Sequence, residues 1–228
     1  LRPPNVARVY GRFEAFATCF MAMEFCDGRN LAELIAANGA LPEAQARAAV
    51  GQIARALAHV HGHDVVHKDL KPANVMVNRD GTIKLMDFGI ARPPLDMTQD
   101  TDVQRLFAGT PRYMAPEQFR MTESGPEVDV YALGCLLLEM LSGEPPFQTD
   151  QFGQLVQMKM SGDTAQIDAL RPRVSDDTLR TVRHMMARDP GARLADLAAV
   201  AEWAAPVDPL LVERAGDGSP APSPPPTV

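Results

Sequence analysis

The interpretation of this sequence starts from the stretch HKDLKPAN, residues 67–74. Asp69 and Asn74 are five residues apart within it, and Asp87 follows in the tripeptide DFG, residues 87–89. Either feature alone would more often be an ordinary turn than a functional site. Because they occur together and in this order, they single out three polar side chains as candidates for a common cleft.

The segment between these motifs predicts a small hairpin. Val75–Val77 and Ile83–Met86 are short apolar runs, and an Asp-Gly dipeptide at 80–81 is a turn signal between them. The strands of a hairpin are antiparallel, so the residue before the first strand and the residue after the second lie at the same end. We therefore expect Asn74 and Asp87 to be neighbours.

Upstream of residue 67, the pattern predicts two strands and then helices. Val6–Arg12 and Thr18–Phe25 read as strands joined by a turn. Asn30 and Glu33 form a capping-box pattern for a short helix, which Gly39 is suited to end. A longer helix should then open at Pro42 in its first turn, with apolar residues recurring at helical spacing.

The region after residue 117 is predicted to be helical. Residues Pro126 to Leu141 are apolar on nearly every face, which indicates a helix through the core. Further helices are expected around 150–160, 175–188 and 194–204. Ser175 is a plausible cap for the second of these. The fold class is therefore α+β, with two strands followed by a mostly helical body that contains one small hairpin.

Composition narrows the classes of function. The chain has 228 residues, a hydrophobic content of 46% and a net charge of −7. An acidic surface without basic runs argues against nucleic acid or an anionic membrane as the main partner. Three cysteines are too few and odd in number for a disulfide framework. Residues 216–228 are almost all Gly, Ser, Pro and Ala, and we expect them not to fold.

The motifs together resemble the protein kinase family. HKDLKPAN and DFG are similar to its catalytic loop and metal-binding tripeptide. GTPRYMAPE at 109–117 resembles the segment that closes the activation loop, and Asp129 and Arg193 occupy the places of structural anchors. The resemblance implies a protein-kinase-like fold with a mostly helical C-lobe and a partial N-lobe β-sheet.

The resemblance also divides the chain. Residues 1–25 match a remnant of the kinase N-lobe, namely its last two strands. Residues 26–205 match the C-lobe with the hinge, catalytic loop and activation segment, and 206–228 form a disordered tail or linker rich in Pro, Ser and Gly. No Gly-rich loop precedes the hinge, and the first lysine is Lys68. We therefore expect an N-terminally truncated domain that has little activity by itself.

Specific catalytic roles follow from the resemblance and from the chemistry of phosphoryl transfer. Asp69 would accept the proton of the substrate hydroxyl, and Lys71 would place an ammonium on the transferring phosphoryl group. Asn74 and Asp87 would bind Mg²⁺, with Mn²⁺ as an alternative ion. Thr110 resembles the threonine that holds Asp69 and Lys71 in register. Lys71 at this position resembles the Ser/Thr type of kinase rather than the tyrosine type.

The resemblance implies an ATP site around the second strand. The strand end at residues 24–26 resembles the hinge of the family. Backbone groups of Glu24 and Cys26 would bind adenine, with Met23 as the gatekeeper behind it. Met76 would form the apolar floor of the pocket. The implied reaction transfers the ATP γ-phosphoryl group to a Ser or Thr hydroxyl of a protein.

Activation-loop phosphorylation is a further implication. Thr98 and Thr101 are candidate sites, and a homodimer could carry out autophosphorylation. Lys68 stands where most of the family has Arg, and lysine lacks the bidentate fork that suits a phosphate. We also expect a buried ion pair between Glu117 and Arg193, and His67 packed against Phe88.

Other interpretations remain open at this point. A pseudokinase scaffold would keep the fold without activity, and a small-molecule phosphotransferase would share the ATP site. A glycosidase would use Asp69 and Asp87 as paired carboxylates. His59, His61 and His63 could suggest a metal site, although surface histidines at a helix C-terminus explain them more simply.

The location of the protein in the cell is inferred from a short sequence motif and from the amino-acid composition. APEQ at 115–118 and the Ala- and Arg-rich composition resemble bacterial kinases of the eukaryotic type. We expect a cytoplasmic domain whose parent protein is membrane-anchored through a segment after residue 228.

Overall fold

The structure is a computed structural model. It describes residues 3–16, 18–88, 110–120, 125–163, 165–194 and 196–204. The side chains of Thr110 and Arg120 fall outside the description. The predicted tail at 206–228 and the candidate phosphorylation sites Thr98 and Thr101 lie outside the described residues.

Five strands and seven α-helices are assigned in the described residues. The strands are β1 (Val9–Ala15), β2 (Thr18–Met23), β3 (Gly28–Asn30), β4 (Val75–Asn78) and β5 (Ile83–Leu85). The helices are α1 (Leu31–Asn38), α2 (Glu43–His61), α3 (Glu127–Ser142), α4 (Phe152–Ser161), α5 (Ala165–Asp168), α6 (Asp176–Met185) and α7 (Leu197–Ala204). Short 3₁₀ turns cover Pro72–Asn74, Thr110–Arg112, Pro116–Arg120 and Pro190–Ala192.

Helix α3 forms the centre of the helical body. Its residues from Val128 to Leu141 are all buried, as the apolar pattern predicts. Helices α2 and α6 pack against it, and α7 packs along α2. Gly134 permits the close approach of α6, because a Cβ atom there would lie 2.7 Å from Cβ of Met185. The core of the domain therefore surrounds this helix.

The predicted helix caps are confirmed. Asn30 Oδ1 accepts a hydrogen bond from the Glu33 amide at 2.9 Å, and Glu33 Oε2 accepts one from the Asn30 amide at 3.2 Å. Gly39 ends α1 at a φ of 69°, a conformation that favours glycine. Ser175 Oγ caps α6 by accepting a hydrogen bond from Thr178. Pro42 lies immediately before α2 rather than inside its first turn.

The strands differ from the prediction in their ends and in one pairing. Strand β1 begins at Val9, and Val6 instead forms a parallel bridge with Leu85. Strand β3 was not predicted, because Gly28–Asn30 has little intrinsic strand propensity. It forms through tertiary pairing with β4, which extends the hairpin to a three-stranded antiparallel sheet in the order β3-β4-β5.

The β1–β2 hairpin forms a separate two-stranded sheet. It carries exposed aromatic side chains, including Tyr10, Phe13 and Phe16, and the rings of Phe13 and Phe20 stack at 5.3 Å. The hairpin therefore presents an exposed apolar surface near the start of the chain. Among the described helices, none is both long and apolar enough to cross a membrane.

Candidate active site

The loop 67–74 is held in place by one buried carboxylate. Asp129 lies in the first turn of α3 and is fully buried. Its Oδ2 accepts hydrogen bonds from the His67 amide and from His61 Nε2, and its Oδ1 accepts one from the Lys68 amide, each at 2.8 Å. Lys68 has a φ of 61°, and the hydrogen bonds from the His67 and Lys68 amides to Asp129 hold the loop in this strained conformation.

Three of the predicted catalytic side chains come together directly after this anchor. Asp69 is 7% exposed, and its Oδ2 lies 3.2 Å from Lys71 Nζ. Asn74 Nδ2 donates to the Asp69 carbonyl at 2.8 Å and to Asp69 Oδ2 at 3.2 Å. Because Asn74 uses its amide nitrogen on Asp69, its amide oxygen is the atom available for another ligand.

The predicted hairpin places Asp87 beside this group. The Met86 amide donates to the Asn74 carbonyl at 2.9 Å, so Asp87 follows directly after a residue bonded to Asn74. His67 Nε2 lies 3.0 Å from the Met86 carbonyl, and its ring lies 4.6 Å from that of Phe88. The predicted packing of His67 on Phe88 is confirmed. Burial lowers the pKa of His67, which favours the neutral ring in this structural role.

The oxygen atoms at this end of the hairpin suit a hard divalent cation. An amide oxygen from Asn74 and a carboxylate from Asp87 are the donor types that Mg²⁺ prefers. Within the described ranges, no three His, Cys, Asp or Glu side chains form a metal-binding group. A metal here would therefore need further oxygens from a phosphate ligand or water.

The predicted adenine-binding residues surround the connection between β2 and β3. Met23 ends β2 and is half-buried, and Met76 pairs with Asn30 on β3 and with Lys84 on β5. The Glu24 side chain bridges two parts of the chain. Its Oε1 lies 2.7 Å from Lys84 Nζ and its Oε2 accepts from the Arg8 amide at 3.1 Å.

Some backbone groups of Glu24 and Cys26 form hydrogen bonds within the protein. The hydrogen bond from Lys84 is the main cause that lowers the pKa of Glu24. The Glu24 amide donates to the Arg8 carbonyl at 2.7 Å, and the Cys26 carbonyl accepts from Gly28 at 3.1 Å. Neither bond uses the Cys26 amide or the Glu24 carbonyl, and the latter lies 3.9 Å from Cys26 Sγ.

The segment after residue 109 forms one wall of a small cleft. Side chains lining this cleft are Lys68, Asp69, Leu70, Tyr113, Met114, Gln118, Val128, Asp129 and Ala132. The Arg112 guanidinium donates to the carbonyls of Phe147 at 2.8 Å and Thr149 at 3.0 Å. Tyr113 Oη donates to Glu139 Oε2 at 2.7 Å. Thr110 opens a 3₁₀ turn next to this wall, and its side chain falls outside the description.

The predicted ion pair between Glu117 and Arg193 is confirmed. Arg193 Nη1 and Nη2 lie 2.5 Å and 2.7 Å from the two carboxylate oxygens of Glu117, which is bidentate geometry. The Arg193 side chain is 1% exposed and also donates to the carbonyls of Ala187 and Glu127. This cluster joins the wall of the cleft to the later helices.

The structure adds two residues to the site that the sequence pattern does not identify. His61 is not a surface histidine, because its side chain is 13% exposed and contacts Asp129. The sequence indicates this contact only indirectly. A buried aspartate such as Asp129 in the apolar helix α3 needs hydrogen-bond donors, and His61 at the end of the amphipathic helix α2 can be one. Lys159 is fully buried beneath the cleft wall, and nothing in the pattern of α4 marks it.

A helical body that holds the loop 67–74 beside the β4–β5 hairpin, with Asp87 directly after it, has the architecture of the protein kinase class. A family model described as the protein kinase domain matches residues 1–203, and the chain belongs to this family. Its relatives are Ser/Thr kinases. Serine/threonine-protein kinase PknB of Mycobacterium leprae is 38% identical over 154 residues, which are 66% of this chain and 25% of that protein.

A second relative and a solved structure agree with this assignment. Serine/threonine-protein kinase PknH of Mycobacterium tuberculosis is 34% identical over an alignment covering 100% of this chain and 38% of the relative. The crystal structure of Rad53 1-466 in complex with AMP-PNP superposes with a TM-score of 0.73 at 29% identity, covering 88% of this chain and 50% of that one. The chain thus spans well under half the length of the two curated relatives.

Proposed function

We propose that this chain is the catalytic region of an ATP-dependent Ser/Thr protein kinase. The observation that carries the proposal is the contact of Asp69 with both Lys71 and Asn74, on a loop held by buried Asp129. Phosphoryl transfer needs positioned charges more than covalent help from the protein. This cluster provides a carboxylate with an ammonium and an amide each within hydrogen-bond distance of it.

The roles divide by chemistry. Asp69 orients the acceptor hydroxyl and takes its proton, and Lys71 neutralises charge on the transferring phosphoryl group. Thr110 keeps these two residues in register. Asn74 Oδ1 and the Asp87 carboxylate would hold Mg²⁺, or Mn²⁺ in its place. The bound ion would supply neutralisation of the phosphate charge.

The nucleotide would bind where the hinge meets β4. The Glu24 carbonyl and Cys26 amide would bond the adenine edge, Met23 would lie behind it and Met76 beneath it. The likeness to Rad53, whose solved structure contains AMP-PNP, supports the binding of a nucleotide. The Lys84–Glu24 contact would fix the angle at which the Glu24 carbonyl points.

The division into a small-lobe remnant at 1–25, a C-lobe at 26–205 and a tail at 206–228 is part of the proposal. Residues 1–25 hold neither a lysine nor a Gly-rich loop to bind the phosphates. We therefore expect the 228-residue chain alone to have little or no activity. Robust phosphorylation by this chain, abolished by Asp69→Asn, would contradict that expectation.

The proposal also covers regulation by phosphorylation and the location of the protein in the cell. We propose autophosphorylation at Thr98 or Thr101, in a transient homodimer of a cytoplasmic domain, with the exposed ammonium of Lys68 as the phosphate partner in place of an arginine fork. The Pro-rich stretch that ends at Val228 supports a linker to a membrane anchor. Mass spectrometry of the full-length protein and the coding sequence after residue 228 test these two points.

The central experiment measures phosphate transfer from ATP to a Ser/Thr peptide by the full-length protein. Asp69→Asn should lower kcat by about 100-fold or more, because the base is lost while the side-chain shape is kept. Asp64→Asn, an exposed aspartate five residues upstream, is the matched control and should leave kcat unchanged. Full activity of the Asp69→Asn protein would rule out the proposed base.

A further inference from the structure

Lys159 is an unusual residue for the interior of this domain. It lies on α4, and the whole residue is 1% exposed. An ammonium is expensive to remove from water unless its N–H groups find partners. Its position therefore requires a set of acceptors, and the identity of those acceptors indicates what the residue does.

The ammonium has three acceptors at hand for its three N–H groups. Nζ donates to the carbonyls of Arg112 and Met114, each at 2.8 Å, and lies 3.5 Å from Tyr131 Oη. It also lies 4.3 Å from the ring centroid of Phe147 and 4.8 Å from that of Tyr131. Aromatic faces attract a cation at such distances. The site is thus built for a positive charge.

The two carbonyls belong to the wall of the cleft that contains Asp69. They lie on either side of Tyr113, and both Tyr113 and Met114 line that cleft. The Arg112 side chain is anchored separately, on the carbonyls of Phe147 and Thr149. Lys159 is therefore the group that binds the backbone of residues 112 and 114 from below, where it determines which way the two peptide planes face.

The same ammonium connects the wall to the Glu117–Arg193 pair. The Tyr131 ring has Lys159 Nζ 4.8 Å from its centroid and the Arg193 guanidinium 5.0 Å from it. Both cations thus lie over the same aromatic ring, which attracts each of them. The arrangement keeps residues 112–114 and Glu117 in a fixed relation to α3.

We propose that Lys159 is a positioning residue for the acceptor peptide, setting the backbone of residues 112–114 against which that peptide binds beside Asp69. The inference rests on the proposed kinase function and deepens it. Lys159 would contact neither ATP nor the reacting atoms, so its effect should fall on peptide binding. The nucleotide site is built from other elements, namely β2, β4 and the hinge.

The test uses the full-length protein with ATP and a Ser/Thr peptide that the wild-type protein phosphorylates. Lys159→Met keeps the length of the side chain and removes the charge. We expect the peptide KM to rise about tenfold through the loss of charge-assisted hydrogen bonds, with the ATP KM within twofold of wild type. Gln157→Met, an exposed position on the same helix, is the matched control and should change neither constant.

The outcomes separate this inference from the proposed function. If the wild type transfers no phosphate to any peptide, or if Asp69→Asn stays active, the kinase proposal fails first. If the wild type is active and Lys159→Met leaves the peptide KM unchanged, only the role of Lys159 is overturned. If Lys159→Met raises the peptide KM and the ATP KM equally and also lowers the folded fraction, Lys159 is a purely structural residue. That result would also overturn the proposed role.

Discussion

The β1–β2 hairpin and the helical body around α3 represent opposite ways of placing side chains. The hairpin exposes Phe16 and Tyr10 to 97% and 61%, whereas every residue of α3 from Val128 to Leu141 is buried. The candidate catalytic side chains are attached to the buried body, and the hairpin supplies only the hinge side of the nucleotide site. Precise placement of reacting groups requires surroundings that cannot move, and a packed helix provides them.

This difference predicts that removing a buried contact in the helical body lowers the free energy of unfolding strongly. Substitutions in the hairpin should change it only slightly. The largest expected effect is that of Arg193→Ala. Removing one partner of a buried ion pair leaves the other charge unpaired, at a cost of about 3–5 kcal/mol in the free energy of unfolding. Thermal unfolding of the full-length protein measures it.

The control for this change is Arg180→Ala. Arg180 forms an exposed ion pair with Asp177 one turn away in α6, and such pairs contribute about 0.5 kcal/mol or less. If Arg193→Ala and Arg180→Ala have the same melting temperature, the ion pair between Arg193 and Glu117 does not stabilise the helical body.

The second effect is a dependence of stability on pH that originates in the body. Burial lowers the pKa of Lys159 to about 8, whereas the unfolded chain has an ordinary lysine pKa near 10.4. The charged and titratable groups facing Lys159 are Tyr131, Cys135, Glu117 and Arg193. Between the two pKa values the unfolded state binds the extra proton, so the free energy of unfolding rises with pH.

The size of this effect is about 3 kcal/mol between pH 7 and 10.5, relative to Lys159→Met. Chemical denaturation of both full-length proteins at a series of pH values isolates it, because all other titrating groups are shared. If the difference in the free energy of unfolding between the two proteins stays constant across this pH range, the Lys159 ammonium is not buried as the structure shows.

A smaller effect is expected at the junction of the two regions, where Asn30 caps α1. Asn30→Ala removes the acceptor for the Glu33 amide and should lower the free energy of unfolding by about 1 kcal/mol. Asn30→Asp keeps the acceptor and serves as the control. Equal melting temperatures for the two variants would show that the capping box does not contribute.

The smallest effect is expected in the hairpin. Phe13 is 57% exposed, so Phe13→Ser should change the free energy of unfolding by less than about 1 kcal/mol. Leu136→Ala in α3 is the contrasting variant and should cost about 2–5 kcal/mol, because Leu136 is fully buried. Comparable losses in denaturant melts of the two full-length variants would contradict the distinction between hairpin and body.

Much of the site could be predicted because its residues are close in sequence. Asp69, Lys71 and Asn74 share one short loop, and a hairpin with a recognisable turn returns Asp87 to the same end. The capping box of α1 and the apolar run of α3 are likewise local patterns. In these cases, the chemistry of neighbouring residues was enough to give the structure.

The contacts that escaped prediction join residues far apart in the chain. The sequence alone determined the α+β class, the order of elements and which side chains form the catalytic loop, because periodicity and turn chemistry act over a few residues. Only the tertiary structure decided that His61 contacts Asp129, that Gly28–Asn30 becomes a strand, and that Lys159 lies under residues 112–114. Each depends on a desolvated polar group finding its partner across the packed core, and that pairing is set by three-dimensional packing rather than by local sequence.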